Sequence, residues 1–166
     1  MVLGLSLYTY TTIHTVISLV ALAAGIIVVL ALLAARVPRL TTALFLFTAV
    51  ATDVTGFGFP VQHFLPSHGV GILSLLLLVP AILALYAFHL VGAWRWIYAV
   101  GAVGATYFLV FVTIFQAFLK VPAIHALAPT LSETPFAASQ IVAIVVFVVL
   151  LIVAALKFRP DPALMA

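Results

Sequence analysis

The stretch 51–68, ATDVTGFGFPVQHFLPSH, carries Asp53, His63 and His68, and sets Thr52, Thr55, Gly56 and Gly58 around the aspartate. Imidazole and carboxylate are ligands for zinc, iron or copper(II). Two imidazoles also suit the axial positions of a haem. His14, on the first apolar segment, completes a candidate metal set of His14, Asp53, His63 and His68. Gln116 and Lys120 extend it to a candidate cofactor pocket, with Lys120 placed to meet a haem propionate. The spacing matches no metal motif. His63 and His68 are five apart across Pro66, not four apart on one helical face.

Other chemistries are excluded or unsupported. There is no cysteine, so disulfides, thiolate metal sites and cysteine nucleophiles are absent. The methionines are Met1 and Met165 alone, which leaves no thioether site for Cu(I) within the apolar segments. No GxSxG or HExxH pattern, no paired catalytic carboxylates and no glycine-rich phosphate loop occurs.

The elements that must position these residues follow from the composition. The chain is 67% hydrophobic and 5% charged, with a mean hydropathy of +1.46. Soluble domains are about 25% charged, so the solvent here is lipid. In lipid a backbone must satisfy its own hydrogen bonds, and the apolar runs are therefore helices. The sequence predicts a single all-α domain with five transmembrane helices, at about 9–35, 41–59, 69–91, 96–119 and 135–158. No basic residue precedes the first run, so it reads as a retained span and not as a signal peptide. Pro80 is expected to kink the third span, and Ser67 to cap its start. Gly25, Gly101 and Gly104 read as helix-packing positions, and Tyr8, Tyr10, Trp94, Trp96 and Tyr98 as interfacial anchors.

Orientation comes from Lys and Arg. Arg36, Arg39, Arg95, Lys157 and Arg159 fall on one side of the five spans and Lys120 on the other. The bias predicts an outside N-terminus and a cytoplasmic C-terminus. Basic residues so dispersed form no nucleic-acid patch. With this topology His14, Asp53, His63, His68, Gln116, Lys120 and His125 share the outer leaflet, while His89 stands at the inner one. An ionisable group within a span must face the bundle. Asp53 is therefore expected to point inward, with His14, Gln116 or Lys120 as partner. The opposing interpretations are a purely structural hydrogen bond for Asp53 and simple interfacial placement for His89 and His125.

Three function classes fit. The first is a His/Asp pocket near the outer leaflet that binds a metal ion, haem or a small ligand. The second is a non-catalytic subunit or scaffold of a membrane complex, in a homo-oligomer or a larger assembly. The third is a proton-linked transporter or channel, which the sparse polar residues of the inner half support least.

The segments ATDVTGFGFP, HFLPSHGVGILSL, GAWRWIY and QAFLKVPAIHALAP carry a resemblance to small multi-spanning inner-membrane proteins of bacteria. The resemblance implies a multi-pass protein of a bacterial inner membrane. It transfers no site residues.

Overall fold

In the computed structural model, residues 2–60 and 66–159 are described. They form an all-helical bundle whose only β feature is an isolated bridge between Val2 and Leu5. The helices are α1 (Leu7–Leu33), α2 (Arg39–Gly56), α3 (Pro66–Tyr86), α4 (Trp94–Lys120), α5 (Pro122–His125) and α6 (Thr134–Lys157). Four of them, α1, α3, α4 and α6, are long and apolar enough to cross a membrane. The 21 to 27 residues of these helices, at 1.5 Å each, exceed or match a hydrocarbon core of about 30 Å. α2 has 18 residues and a lower hydropathy, because Arg39, Asp53 and its threonines dilute its apolar run.

α1 packs on α2 and on α4, α3 packs on α4 and on α2, and α6 lies against α4 and α1. The core runs through Ala24, Val28, Phe45, Leu78, Ala81, Tyr98 and Ala102. Small residues set the helix separations. A Cβ on Gly25 would stand 2.8 Å from Thr106 Oγ1 and 2.9 Å from the Phe45 ring. A Cβ on Gly101 would stand 2.6 Å from both the Leu77 carbonyl oxygen and the Ala81 Cβ. The packing role expected of Gly25, Gly101 and Gly104 is thus what these contacts provide. The outward faces are apolar, with Leu19, Ile27, Leu30, Leu76, Val145 and Val149 all exposed. Such a surface matches a lipid solvent.

Several boundaries differ from the sequence expectation. The third apolar run continues to Val91, but α3 stops at Tyr86. The chain turns there because His89 (φ 47°) and Leu90 (φ 57°) adopt the left-handed region, and Leu90 N–H reaches back to the Ala84 carbonyl at 2.9 Å. Two non-glycine residues in that region cost about 1–2 kcal/mol each. Buried Leu90 and the Phe88–Trp94 stack, 3.7 Å between ring centroids, hold the turn in place. Ser67 is not a cap; α3 already begins at Pro66, the residue type favoured in a first helical turn. Pro80 lies inside α3, which continues through it. Tyr10 and Tyr98 are buried and not interfacial: Tyr10 donates to the Thr55 carbonyl at 2.7 Å, and Tyr98 packs on Phe158.

The bundle has chemically distinct ends. The end of α1 adjoins the start of α2, and the end of α3 adjoins the start of α4. Phe158, just beyond α6, packs on Tyr98 near the start of α4. This end carries Arg36, Arg39, Arg95, Lys157 and Arg159. The opposite end carries His14, Asp53, His68 and Gln116.

Candidate functional site

At the end away from the arginines, four helices enclose a cavity of about 170 Å³. Each contributes one face. α1 supplies His14 and Ser18, four residues apart, and α2 supplies Thr52, Asp53 and Gly56. α3 supplies Ser67, Gly71 and Ser74, and α4 supplies Leu109, Thr113 and Gln116, both sets at offsets of 0, 4 and 7. Residues so spaced share one side of a helix. Phe57, Phe59 and Phe108 complete the wall.

α1 and α2 are clamped together at the rim. Tyr10 Oη donates at 2.7 Å to the Thr55 carbonyl, which also accepts the Gly58 N–H at 3.1 Å where α2 ends. A Cβ on Gly58 would collide with that hydroxyl, so glycine is required for the approach. Phe59 packs edge-on against Tyr10 at 5.0 Å and against His14 at 5.1 Å.

His14 Nδ1 lies 2.8 Å from Thr55 Oγ1. Thr55 has one hydroxyl proton and directs it to the Ala51 carbonyl at 2.6 Å. The hydroxyl therefore accepts from the imidazole, and Nδ1 carries the proton. In the neutral ring this leaves Nε2 as an acceptor.

The cavity is rich in uncommitted acceptors. Buried serine and threonine hydroxyls in apolar helices are ordinarily satisfied by the carbonyl one turn back. Thr48, Thr55, Thr106, Thr113 and Ser18 all do this, at 2.6 to 2.8 Å. Thr52 Oγ1 does not; it is buried without a partner. So are Asp53 Oδ2 and Gln116 Oε1. Each of these three residues lines the cavity. Ser74, on α3, lines the same cavity beside the Asp53 carboxyl. Leaving a buried polar group unpaired costs about 1–3 kcal/mol, and three such groups among the described residues face this one cavity.

The structure brings together most of the residues proposed from sequence. His14, Asp53, His68 and Gln116 line one cavity. Asp53 lines the cavity, as expected of an inward-facing carboxyl, together with His14, Gln116 and Ser74. Lys120 is the exposed last residue of α4 and does not line the cavity. His63 lies outside the described residues.

Among the described residues no group of three or more His, Cys, Asp or Glu is placed to hold a metal ion. The metal set and the haem reading thus find no support here. His14 is committed through Nδ1 to Thr55, His68 stacks on Phe57 at 5.6 Å, and Asp53 lies beside Ser74. Ser18, Ser74 and Thr113 were not among the residues proposed. His125 donates to or accepts no cavity group; its Nδ1 lies 2.9 Å from the Phe118 carbonyl, which it can only meet as donor. No family model, no curated protein and no solved structure matches the chain, so its site is defined by its own geometry.

Proposed function

We propose that this is an integral membrane protein of five spans that binds a small ligand bearing N–H or O–H donors in the His14–Asp53 cavity. The carrying observation is the convergence of Thr52 Oγ1, Asp53 Oδ2 and Gln116 Oε1, all buried and unpartnered, on one cavity. Asp53 Oδ2 and Gln116 Oε1 only accept and Thr52 brings a single hydroxyl proton, so the set calls for further donors, and the carboxylate favours a cation. The volume of about 170 Å³ holds on the order of five water-sized groups at ~30 Å³ each, which suits ammonium or a small primary amine.

α2 is the fifth span in this reading. Its length of 18 residues gives about 27 Å, close to the hydrocarbon thickness, and it is flanked by α1 and α3. The basic end faces the cytoplasm by the Lys and Arg bias, which puts the N-terminus and the cavity on the outer side of a bacterial inner membrane. Retention of a ligand is favoured over its passage. Below the cavity the bundle is closed by Gly25 against Phe45 and Thr106, and by Leu78, Ala81 and Ala105, all tightly packed.

The test is thermal stability of the purified protein titrated with ammonium, methylammonium and tetramethylammonium. The last carries the charge but no N–H donor. Ammonium and methylammonium should raise the melting temperature by mass action and tetramethylammonium should not. Asp53→Asn should retain the fold and lose the response. A protein indifferent to all three ions, or an Asp53→Asn variant that responds like the parent, would show the reading wrong.

A further inference from the structure

The His14–Asp53 cavity has two unlike sides. α4 meets α3 where Gly101 and Gly104 lie against Leu77 and Ala81. Phe108 and Val112 follow Gly104 at steps of four, so they carry the same edge of α4 into the cavity. Val70 stands seven residues before Leu77, on the matching edge of α3, and lines the cavity too. Val70, Phe108 and Val112 thus wall an apolar corner between α3 and α4. The other edge of α4 meets α1 where Thr106 lies against Gly25. Thr113, seven residues on, carries that edge into the cavity on the side lined by His14 and Ser18.

Given the amine site proposed for this cavity, we infer that its ligand is a primary alkylammonium of about four carbons, with its –NH3+ among Thr52, Asp53 and Gln116 and its hydrocarbon tail in the α3–α4 corner.

The cavity of about 170 Å³ takes on the order of five groups at ~30 Å³ each. Ammonium fills one of those places. The remaining space borders the corner, where Ser74 is the one side-chain hydroxyl on the two edges and stands beside the Asp53 carboxyl. A water molecule needs two to four polar partners, and Val70, Phe108 and Val112 supply none. Methylene groups leave bulk water for such a place at a gain. The buried acceptors without a partner lie on α2 and α4, and an –NH3+ group has three protons for them. Around the axis of α4, Gln116 falls between Val112 and Thr113. A tail on an amine held at Gln116 therefore reaches the apolar corner directly. A free amine and the ethanolamine of a lipid share the ammonium group, but an enclosed tail admits only the first.

The full chain, purified in a neutral detergent, would be titrated calorimetrically with the primary n-alkylammonium series from methyl to hexyl, with n-butanol, and with dihexanoyl phosphatidylethanolamine. Affinity should rise about three- to fourfold per carbon up to butylammonium and level off or fall at hexyl, when the enclosed space is full. n-Butanol, which has the tail and no cation, should not displace butylammonium. Val112→Phe fills the corner and should bring the butyl-to-methyl affinity ratio close to one. Val70→Leu adds one methylene from the facing helix and should lower that ratio about three- to fourfold, so either variant serves if the other fails to fold. Equal affinity for methylammonium and butylammonium would overturn the tail site and leave the amine site standing, whereas silence toward every primary ammonium would remove both. An affinity that still climbs at hexyl, an unchanged ratio in both variants, or displacement of butylammonium by n-butanol or by phosphatidylethanolamine would also overturn the inference.

Discussion

His14 on α1 donates its Nδ1 proton to the Thr55 hydroxyl on α2 across 2.8 Å. The direction is forced, because Thr55 has already given its own proton to the Ala51 carbonyl. One hydrogen bond thereby fixes both the tautomer and the ring orientation of a histidine in the cavity wall. Thr55→Val keeps the shape and removes the acceptor. It should cost about 1 kcal/mol of stability. It should also move the His14 nitrogen resonances in ¹⁵N-histidine-labelled protein, identified by their loss in His14→Gln. Resonances that stay in place in Thr55→Val would refute the assigned direction.

Two glycines give opposite expectations. At Gly101 an added Cβ meets the Leu77 carbonyl at 2.6 Å, and backbone cannot move aside without parting α3 from α4. Gly101→Ala should cost about 1–3 kcal/mol, as overpacking does. At Gly56 the nearest atom to an added Cβ is His14 Cε1 at 3.8 Å, an ordinary contact. Gly56→Ala should be neutral or slightly stabilising through helix propensity, by up to ~1 kcal/mol. Its methyl enters the cavity wall, so the ammonium response should weaken while stability holds. Reversible unfolding in mixed micelles would separate the two.

His125 provides the control for the site. Its hydrogen bond to the Phe118 carbonyl lies between α4 and α5, away from the cavity. His125→Ala should lose about 1 kcal/mol of stability and leave the methylammonium titration unchanged. A diminished titration in this variant would mean that histidines act here through the fold alone.

The orientation is testable with fused reporters. All five basic residues of one end stand at the α1–α2 junction, the α3–α4 junction and the end of α6. A C-terminal fluorescent protein should mature and a C-terminal alkaline phosphatase should stay inactive. The reverse pattern would place the cavity on the cytoplasmic side.

Composition and periodic apolar runs were enough to read the helices, and the spacing of polar residues was enough to bring His14, Asp53, His68 and Gln116 to one end. What stayed hidden has physical causes. α3 ends at Tyr86 through a left-handed turn at His89 and Leu90, and neither residue type announces such a turn. α5 is a single turn, Pro122–His125, too short for periodicity to register. Ser74 and Thr113 looked like neutral members of apolar helices, because a hydroxyl there is usually absorbed by its own backbone. Their signal was the shared offset: Ser67, Gly71 and Ser74 on α3 repeat the spacing of Leu109, Thr113 and Gln116 on α4. Lys120 was drawn into the site by its position in the chain, but a long cation at the last residue of a helix reaches water more cheaply than it reaches a cavity.

α6 buries only Ala143 and Ala154, both small, and turns Ile141, Val145, Val149 and Ile152 outward. In lipid those outward residues gain nothing by leaving or joining the bundle, so α6 is held by close packing, as of Phe147 against Tyr107, and by the Gln140 Nε2 hydrogen bond to the Phe111 carbonyl at 3.3 Å. Of the four long apolar helices, α6 is the least buried. During biogenesis the α1–α2 and α3–α4 pairs can settle first and α6 dock afterwards, and under mechanical pulling from the C-terminus α6 would be the first to peel away.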